Sequence, residues 1–180
     1  GEILVDAVRE RVAKKKAQTE EWLGVQEEAH RQGMRTSVTM MYGMGESNAD
    51  RIEHLFRVRA VQRRTGGFTA FICWPLQPEG TPMFDGTAKT DAVTYLRTLA
   101  MGRIIWRNIP NMQSSWVTMG HKVGQVARRF GANDYGSLMM EENVVSAAGT
   151  TFRMTEEEIR TAIVDAGWTP RKRNFHYQLL

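Results

Sequence analysis

Two adjacent carboxylates stand in an apolar stretch late in the chain, within the sequence FGANDYGSLMMEENVV. Glu141 and Glu142 lie between a methionine pair and Asn143, and no lysine or arginine occurs from Asp134 to Val145. Carboxylates on an exposed helix usually alternate with cations, so this pattern has two interpretations. The pair caps a helix that begins at Asn143, where negative charge meets the positive end of the helix dipole, or it forms one wall of a site. Each interpretation is compatible with the other.

The elements that must position this pair alternate between strands and helices. Short β-rich runs at 34–43, 67–74 and 113–120 are each followed by a helical pattern, and a weaker fourth run covers 137–140. Strands that alternate with helices through short connections indicate a parallel sheet with crossover helices. The predicted fold class is therefore α/β, and four such units correspond to half of a (β/α)8 barrel. Residues 1–33 have no strand in front of them and are interpreted as the end of a preceding unit.

Capping signals and glycines place the helix ends. Thr19 is the expected N-cap of the second helix, and Ser47 and Thr155 each precede an acid by three residues, which is the spacing of a capping box. In two helices the apolar spacing predicts the buried faces: Ile52, Leu55, Phe56 and Ala60 in one, and Val93, Leu96, Ala100 and Ile104 in the other.

Loops that follow the strands are the expected place for chemistry, because barrel enzymes carry their active sites at the carboxyl ends of the strands. Applied to this chain, the rule selects four clusters: 42–46, 73–79, 116–121 and 141–143. The carboxylate pair belongs to the last cluster. We therefore expect residues 141–143 to face a cavity near Tyr42 and Trp116 instead of bulk solvent.

Other familiar motifs have little support. Gly43 and Gly45 in YGMGES begin like a dinucleotide-binding loop, but the third glycine is missing, and a turn that needs permissive dihedral angles explains them as well. The histidines show no metal-ligand spacing. His30 and His54 lie in predicted helices, which favours packing or surface roles. His121 follows a predicted strand, so a position facing a site stays open for it.

Composition restricts the classes of partner. The 180 residues suffice for one domain with a core, 42% of them are hydrophobic, and the net charge is +4. The excess cations stand in short clusters at helix ends, where they complement helix dipoles, so no nucleic-acid partner is expected. No apolar run approaches the ~18 residues of a membrane helix, and no membrane association is expected. The single cysteine, Cys73, excludes an internal disulfide and fits a reducing cytoplasm.

Five segments carry a resemblance to a known family: TMMYG, EHLFRVRAVQRRTGGFTAFICWPLQPEGT, YLRTLAMGRI, NIPNMQSSWVTMG and RFGANDYGSLMMEENVVSAAG. They resemble the C-terminal half of the radical S-adenosylmethionine enzymes of futalosine-dependent menaquinone biosynthesis, to which the coenzyme F420 deazaflavin synthases are close relatives. The resemblance extends from Glu2 to about Tyr177. Within the group, SSWVTMG, GAND and EENVVSAAG are most similar to the dehypoxanthine futalosine cyclases.

This resemblance implies a reaction and its cofactors. In the full-length family a reduced [4Fe-4S] cluster cleaves S-adenosylmethionine, and the resulting radical takes a hydrogen atom from the ribose of dehypoxanthine futalosine, a small nucleoside-derived substrate. The carbon radical then closes onto the aromatic ring, and loss of an electron and a proton gives the cyclic product. The protein must hold the ribose near the radical and exclude water.

Position in the predicted half-barrel suggests roles for the loop residues. Glu141 or Glu142 is the candidate catalytic residue that takes the final proton. The candidate substrate-binding residues supply aromatic surface or contacts to hydroxyl groups: Tyr42, Trp74, Trp116, Thr118, Asn133 and Asn143, together with Glu142. No metal ligand is predicted.

Two departures from the family pattern affect these expectations. The family's cluster motif, C-x3-C-x2-C, lies in its N-terminal half and is absent from this sequence. We therefore expect residues 1–180 to form a single domain, a C-terminal half-barrel without a cluster and without activity of its own. The chain also begins at Gly1 without methionine, which suggests a truncated beginning. Met44 stands where relatives often carry histidine, and this affects only a local contact.

Several alternatives stay open at the level of sequence. Exposed strand edges of a half-barrel invite pairing with another copy, so self-association is expected. The alternative functions are a non-catalytic half-barrel module that pairs with another chain or itself, one of the related aminofutalosine- or deazaflavin-forming synthases, and an unrelated phosphate-binding α/β domain. An in-frame cysteine motif upstream of Gly1 in the coding DNA would support the enzyme.

Overall fold

Three parallel strands form the centre of the structure. The computed structural model describes residues 1–81, 84, 86–138, 147, 149 and 152–180. Strand β1 comprises Thr36–Tyr42, β2 comprises Phe68–Pro75 and β3 comprises Asn111–Gln113, in the order β1-β2-β3 with parallel pairing throughout. Helices connect the strands, so the predicted α/β class and the parallel sheet are confirmed.

Single residues extend the sheet beyond both of its edges. Glu2 forms an isolated parallel bridge with Met41 of β1, and Asp134 forms another with Gln113 of β3. The prediction of a fourth strand at 137–140 is wrong for its first two residues, which lie outside any strand. Its other two residues fall outside the described part of the chain. At this edge the backbone turns away after Asp134, so the pairing does not propagate.

Helices and one 3-10 turn account for most of the remaining described residues. They are α1 Asp6–Val12, α2 Thr19–Arg31, α3 Asn48–Thr65, α4 Ala92–Ile105, α5 Trp116–Met119, α6 His121–Ala127, the 3-10 turn Arg128–Phe130 and α7 Glu156–Asp165. Among the described residues, none of these helices combines the length and the apolar composition that crossing a bilayer requires.

The local signals for helix ends are largely confirmed. Capping boxes at Ser47 and Thr155 start α3 and α7 as predicted. Thr19, however, is not the N-cap of α2. Gln18 takes that position, and its backbone N–H donates to the Glu21 carboxylate at 2.9 Å.

The prediction of a strand at 113–120 is wrong beyond its first residue. Strand β3 ends at Gln113, and Trp116 begins the short helix α5. Trp116 is buried in a second hydrophobic core with Tyr135 and Ile163, the latter from α7. A short apolar run does not distinguish a strand from a helix, and here packing against α7 decides the outcome.

The buried face of α3 differs from the one that apolar spacing predicts. Ile52 is 37% exposed and Phe56 is 51% exposed. Three polar side chains, those of Arg51, His54 and Gln62, are buried instead. Leu55 is fully buried as predicted, but these polar residues occupy part of the inner face, so the prediction is wrong for Ile52 and Phe56.

The prediction for α4 is also wrong in part, although Leu96 packs against the main core as predicted. Val93 is 64% exposed and Ile104 is 75% exposed. The buried face passes through Gly102, where an added Cβ would lie 3.0 Å from side-chain atoms of both Phe71 and Met112. The glycine therefore lets α4 lie directly against the sheet.

His54 is a fully buried titratable group in the main core. Its Nδ1 accepts the backbone N–H of Leu4 at 3.1 Å, and its Nε2 is buried without a hydrogen-bond partner among the described residues. Burial is the main cause that lowers the pKa of His54 to about 3. Between about pH 3 and pH 6.5 the imidazole is therefore neutral in the folded chain, whereas the unfolded chain protonates it.

This difference predicts an acid-sensitive fold. Between about pH 3 and pH 6.5 the unfolded chain binds one more proton at His54, so the free energy of unfolding falls as the pH drops below 6.5. We expect this group to contribute a loss of about 2 kcal/mol between pH 7 and pH 5. The measurement is urea unfolding at both pH values for the unchanged chain and for His54→Asn, whose Oδ1 replaces Nδ1 as acceptor. An equally large loss in His54→Asn would contradict the prediction.

Candidate functional site

The sheet presents two faces with different surroundings. The register aligns Met40 of β1 with Cys73 of β2, and aligned side chains in a parallel sheet point to the same side. Both are fully buried in the main hydrophobic core, together with Leu55 of α3 and Leu99 of α4. The alternating side chains, such as Met41, point to the opposite side and are partly exposed. We call this side the open face.

The register arranges the side chains of the open face in two rows. The upper row, at the carboxyl ends of the strands, contains Glu2, Met41 and Trp74. The lower row contains Thr39, Ile72, Gln113 and Asp134. In parallel α/β sheets, ligands bind beyond the carboxyl ends of the strands. The upper row is therefore the candidate functional surface.

Glu2 brings a charged group to the upper row. Its carboxylate accepts a hydrogen bond from Lys16 Nζ at 2.5 Å, and Arg9 Nη1 lies 3.8 Å away. Burial opposes ionisation of Glu2, but the hydrogen bond from Lys16 and the nearby positive charges outweigh it, so the pKa of Glu2 lies below its usual value. An ionised carboxylate thus stands beside the thioether of Met41.

The loop after β1 is held by a second, fully buried carboxylate. Glu46 accepts the backbone N–H groups of Gly43 and Met44, each at 2.8 Å, and its Oε1 pairs with Arg51 Nη2 at 2.7 Å. Gly43 and Gly45 adopt φ angles of 90° and 85°, which favour glycine. The N–H groups of Gly43 and Met44 therefore bind the protein's own carboxylate. This favours the turn interpretation of YGMGES over a phosphate-binding loop.

Tyr42 and Trp74 end adjacent strands but point to opposite faces. The Tyr42 ring is fully buried, and the guanidinium carbon of Arg51 lies 4.6 Å from its centroid on the α3 side. Burial raises the pKa of the Tyr42 hydroxyl well above its usual value. Trp74 is partly exposed in the upper row. Of these two aromatic candidates, Trp74 is the one that a ligand on the open face can reach.

Trp116 and Thr118 are engaged in the local packing of α5. Trp116 belongs to the second hydrophobic core. The Thr118 hydroxyl donates to the Ser115 carbonyl at 3.1 Å and lies 3.0 Å from the Ser115 hydroxyl oxygen. Both candidate residues are buried, so their contacts stabilise the conformation of the chain that follows β3.

Asn133 joins neighbouring segments of backbone. Its Oδ1 accepts the N–H of Met112 at 2.7 Å and Arg103 Nη2 at 3.0 Å, and its Nδ2 donates to the Pro110 carbonyl at 3.1 Å. These contacts seat Asp134 beside β3. The amide of Asn133 is thus used by the protein itself, although the residue is exposed.

The predicted site residues divide into three groups. Glu141, Glu142 and Asn143 fall outside the described residues, so their roles stay predictions. Tyr42, Trp116, Thr118 and Asn133 have side chains that are buried or already bonded within the protein. Trp74 lies on the candidate surface. His121 is exposed at the start of α6, whereas His54 is fully buried and has the packing role that its helix position predicts.

A cavity of about 780 Å³ lies between the C-terminal tail and the chain that follows Asp134. Asp134 pairs there with Arg173, whose guanidinium carbon lies 3.9 Å from the ring centroid of Tyr177. Asn133 lines this cavity, but Trp74 and Trp116 do not. The ion pair therefore anchors the tail at the edge of the sheet opposite Glu2, and the cavity is separate from the upper row.

The described part of the chain offers no metal centre. No group of three His, Cys, Asp or Glu side chains there is arranged to hold an ion. Cys73 is fully buried, and burial raises its pKa to about 12. Iron–sulfur clusters require thiolates, so these residues do not fit such a cluster.

Sequence reasoning missed Met41 and Glu2 as candidates. The alternation in TSVTMMY was a usable signal, because residues two apart in a strand share a face. The alternation alone does not show which of the two adjacent methionines faces the core. Only the register with β2 decides this. For Glu2 the sequence contains no signal, since its place in the upper row depends on a single bridge.

The fold and the upper row define an α/β protein whose parallel sheet presents a polar and aromatic carboxyl edge, the usual place for a small-molecule site in such sheets. Residues 65–180 match the profile of the CofH/MqnC C-terminal region, and the chain belongs to this family. The family resemblance seen in the sequence is thereby confirmed.

Relatives in several organisms extend this assignment. The chain is 45% identical to the cyclic dehypoxanthine futalosine synthase of Halalkalibacterium halodurans, over 99% of this chain and 48% of the relative. The chain is 43% identical to the synthase of the same name in Streptomyces coelicolor, over 99% of this chain and 45% of the relative. It is 39% identical to the 5-amino-6-(D-ribitylamino)uracil–L-tyrosine 4-hydroxyphenyl transferase of Methanococcus maripaludis, over 99% of this chain and 52% of the relative. The chain thus spans about half the length of these relatives.

Proposed function

We propose that this chain is the substrate-side half of a radical S-adenosylmethionine cyclase that converts dehypoxanthine futalosine into its cyclic product, in the futalosine pathway of menaquinone biosynthesis. The observation that carries the proposal is family membership together with 45% identity to the Halalkalibacterium synthase. The parallel sheet supports a finer architecture, in which residues 1–180 form one domain, the C-terminal half of a TIM-type barrel. The open face then lines the barrel interior, and α3 and α4 belong to its outer layer.

In this proposal the chain's own residues bind and orient the substrate. Trp74 supplies an aromatic wall at the carboxyl edge, and Glu142 or Glu141 accepts the proton that leaves during cyclisation. Tyr42 contributes indirectly: its ring contacts Arg51, and Arg51 pairs with Glu46, which holds the loop after β1 at the carboxyl edge. The other proposed contacts are Trp116, Thr118, Asn133 and Asn143. The first three also order the chain beyond β3 through their packing and hydrogen bonds.

The family implies S-adenosylmethionine and a [4Fe-4S] cluster in the full-length protein, where together they supply the radical that starts the reaction. The buried Cys73 thiol and the absence of a suitable ligand group among the described residues do not fit the cluster. We therefore propose that this chain contributes no cluster ligand and is inactive by itself. Self-association through unpaired strand edges is part of the same proposal.

The purified chain is expected to bind no stoichiometric iron–sulfur cluster. A single cysteine cannot supply three thiolate ligands. Anaerobic reconstitution followed by iron and sulfide analysis measures this, and Cys73→Ala should retain the same trace of adventitious iron as the unchanged chain. Stoichiometric iron and sulfide on a monomer would contradict the prediction.

A catalytically complete protein that contains this chain tests the function. With S-adenosylmethionine and a reductant, we expect dehypoxanthine futalosine to become a product lighter by two hydrogen atoms, detected by mass spectrometry. Conversion of tyrosine and 5-amino-6-(D-ribitylamino)uracil would instead favour the transferase activity named for the Methanococcus relative. Turnover of neither substrate would favour a non-catalytic half-barrel module.

A further inference from the structure

Met41 and Trp74 are direct neighbours in the upper row of the open face. They are paired across β1 and β2 in the parallel register, and adjacent strands lie about 4.8 Å apart. Both side chains are partly exposed, whereas the residues that precede them, Met40 and Cys73, are fully buried on the other face. A thioether and an indole therefore stand side by side at the carboxyl edge, on a surface that a ligand can reach.

These two side chains together suit a flat aromatic ring. The indole offers a large π surface for offset stacking, and the polarisable sulfur of methionine makes favourable contacts with ring edges. One row below them on the open face lie Thr39 and Ile72, and the Thr39 hydroxyl accepts a hydrogen bond from the Gly1 nitrogen. On the far side of Met41 stands the carboxylate of Glu2, held by Lys16, which bounds the apolar surface.

We infer that Met41 and Trp74 form the slot that holds the aromatic ring of the substrate, with Met41 as a specificity-determining residue. The inference rests on the proposed function. It places the aromatic ring of dehypoxanthine futalosine against the carboxyl ends of β1 and β2. The ribose must then lie further from these strands, towards the loops that follow β3. An aromatic ring fixed in this way is presented to the ribose carbon with which it forms a bond, which lowers the entropic cost of cyclisation.

The two adjacent methionines provide a matched comparison in a catalytically complete protein. Met41→Ala is expected to raise the Kd for dehypoxanthine futalosine about five- to tenfold, measured by calorimetry without reductant. Because Met41 is partly buried and packs against the main core, its loss should also lower Tm, but less than the loss of Met40. Met40→Ala should lower Tm by several degrees through a core cavity while Kd stays within about twofold. If Met40→Ala does not fold, Met40→Leu and Met41→Leu give the same comparison at smaller amplitude.

Ligand variation distinguishes a ring contact from a general disturbance. An analogue of the substrate that lacks the aromatic ring should bind equally well to the unchanged protein and to Met41→Ala. An unchanged Kd for dehypoxanthine futalosine in Met41→Ala, or an equal loss of affinity for the ringless analogue, would overturn the inference. Because cyclic product from the unchanged protein is measured separately, failure of the slot and failure of the proposed function give different results.

Discussion

Glu46→Ala is expected to lower the free energy of unfolding of the purified chain by about 3–5 kcal/mol. The Glu46 side chain is fully buried, and it satisfies two backbone N–H groups and the Arg51 guanidinium at the same time. Removal of the carboxylate leaves a mostly buried cation without its partner and two amides without an acceptor, and each of these costs free energy. The measurement is the unfolding midpoint and slope in urea at neutral pH.

An exposed pair of the same chemistry gives the control. Glu28 and Arg31 lie 2.6 Å apart on the surface of α2, and Glu28→Ala should change the free energy of unfolding far less than Glu46→Ala, because solvent screens an exposed pair. Glu46→Ala combined with Arg51→Met should recover part of the loss, because no buried charge is then unpaired. Equal effects of Glu46→Ala and Glu28→Ala would show that burial of the Glu46–Arg51 pair has no energetic consequence.

Glu142→Gln in a catalytically complete protein is expected to lower kcat by about 100-fold or more while the protein still folds. In the proposed role of Glu142, the amide preserves the shape of the side chain but lacks the charge that would strengthen hydrogen bonds to ribose hydroxyls, and it would not take up the final proton. Steady-state formation of the cyclic product and the Tm are measured together. The loss should appear in kcat more than in KM if the residue acts in the chemical step.

Glu157→Gln is the matched control for Glu142→Gln. Glu157 is an exposed residue in the first turn of α7, so its neutralisation should leave turnover within about twofold, whatever it does to helix stability. Normal turnover in Glu142→Gln, with a small drop in Tm, would identify the glutamate as a helix cap. The two interpretations of the carboxylate pair are thereby separated by experiment.

The sequence by itself determined the elements whose signals are local. The capping boxes at Ser47 and Thr155 and the glycine after α3 were readable because cap hydrogen bonds join residues only a few positions apart. The α/β class followed from the alternation of strand and helix patterns, and the family followed from long matching segments. Positions of β1 and β2 were also predictable, since both are continuous β-rich runs that end at Gly43 and Pro75.

Tertiary structure decided which way these elements face. Ile52 and Phe56 on α3 look like core residues, but Arg51 and His54 take part of the inner face. Arg51 donates a hydrogen bond to the distant Thr98 hydroxyl, and His54 Nδ1 accepts the backbone N–H of the distant Leu4. Trp116 became helical because its burial partner is α7, more than forty residues away. Met40 and Met41 are indistinguishable by type, and only the register with β2 sends one to the core and the other to the open face. The physical reason is the same in each case: the deciding contacts are between residues far apart in the chain, which no local pattern contains.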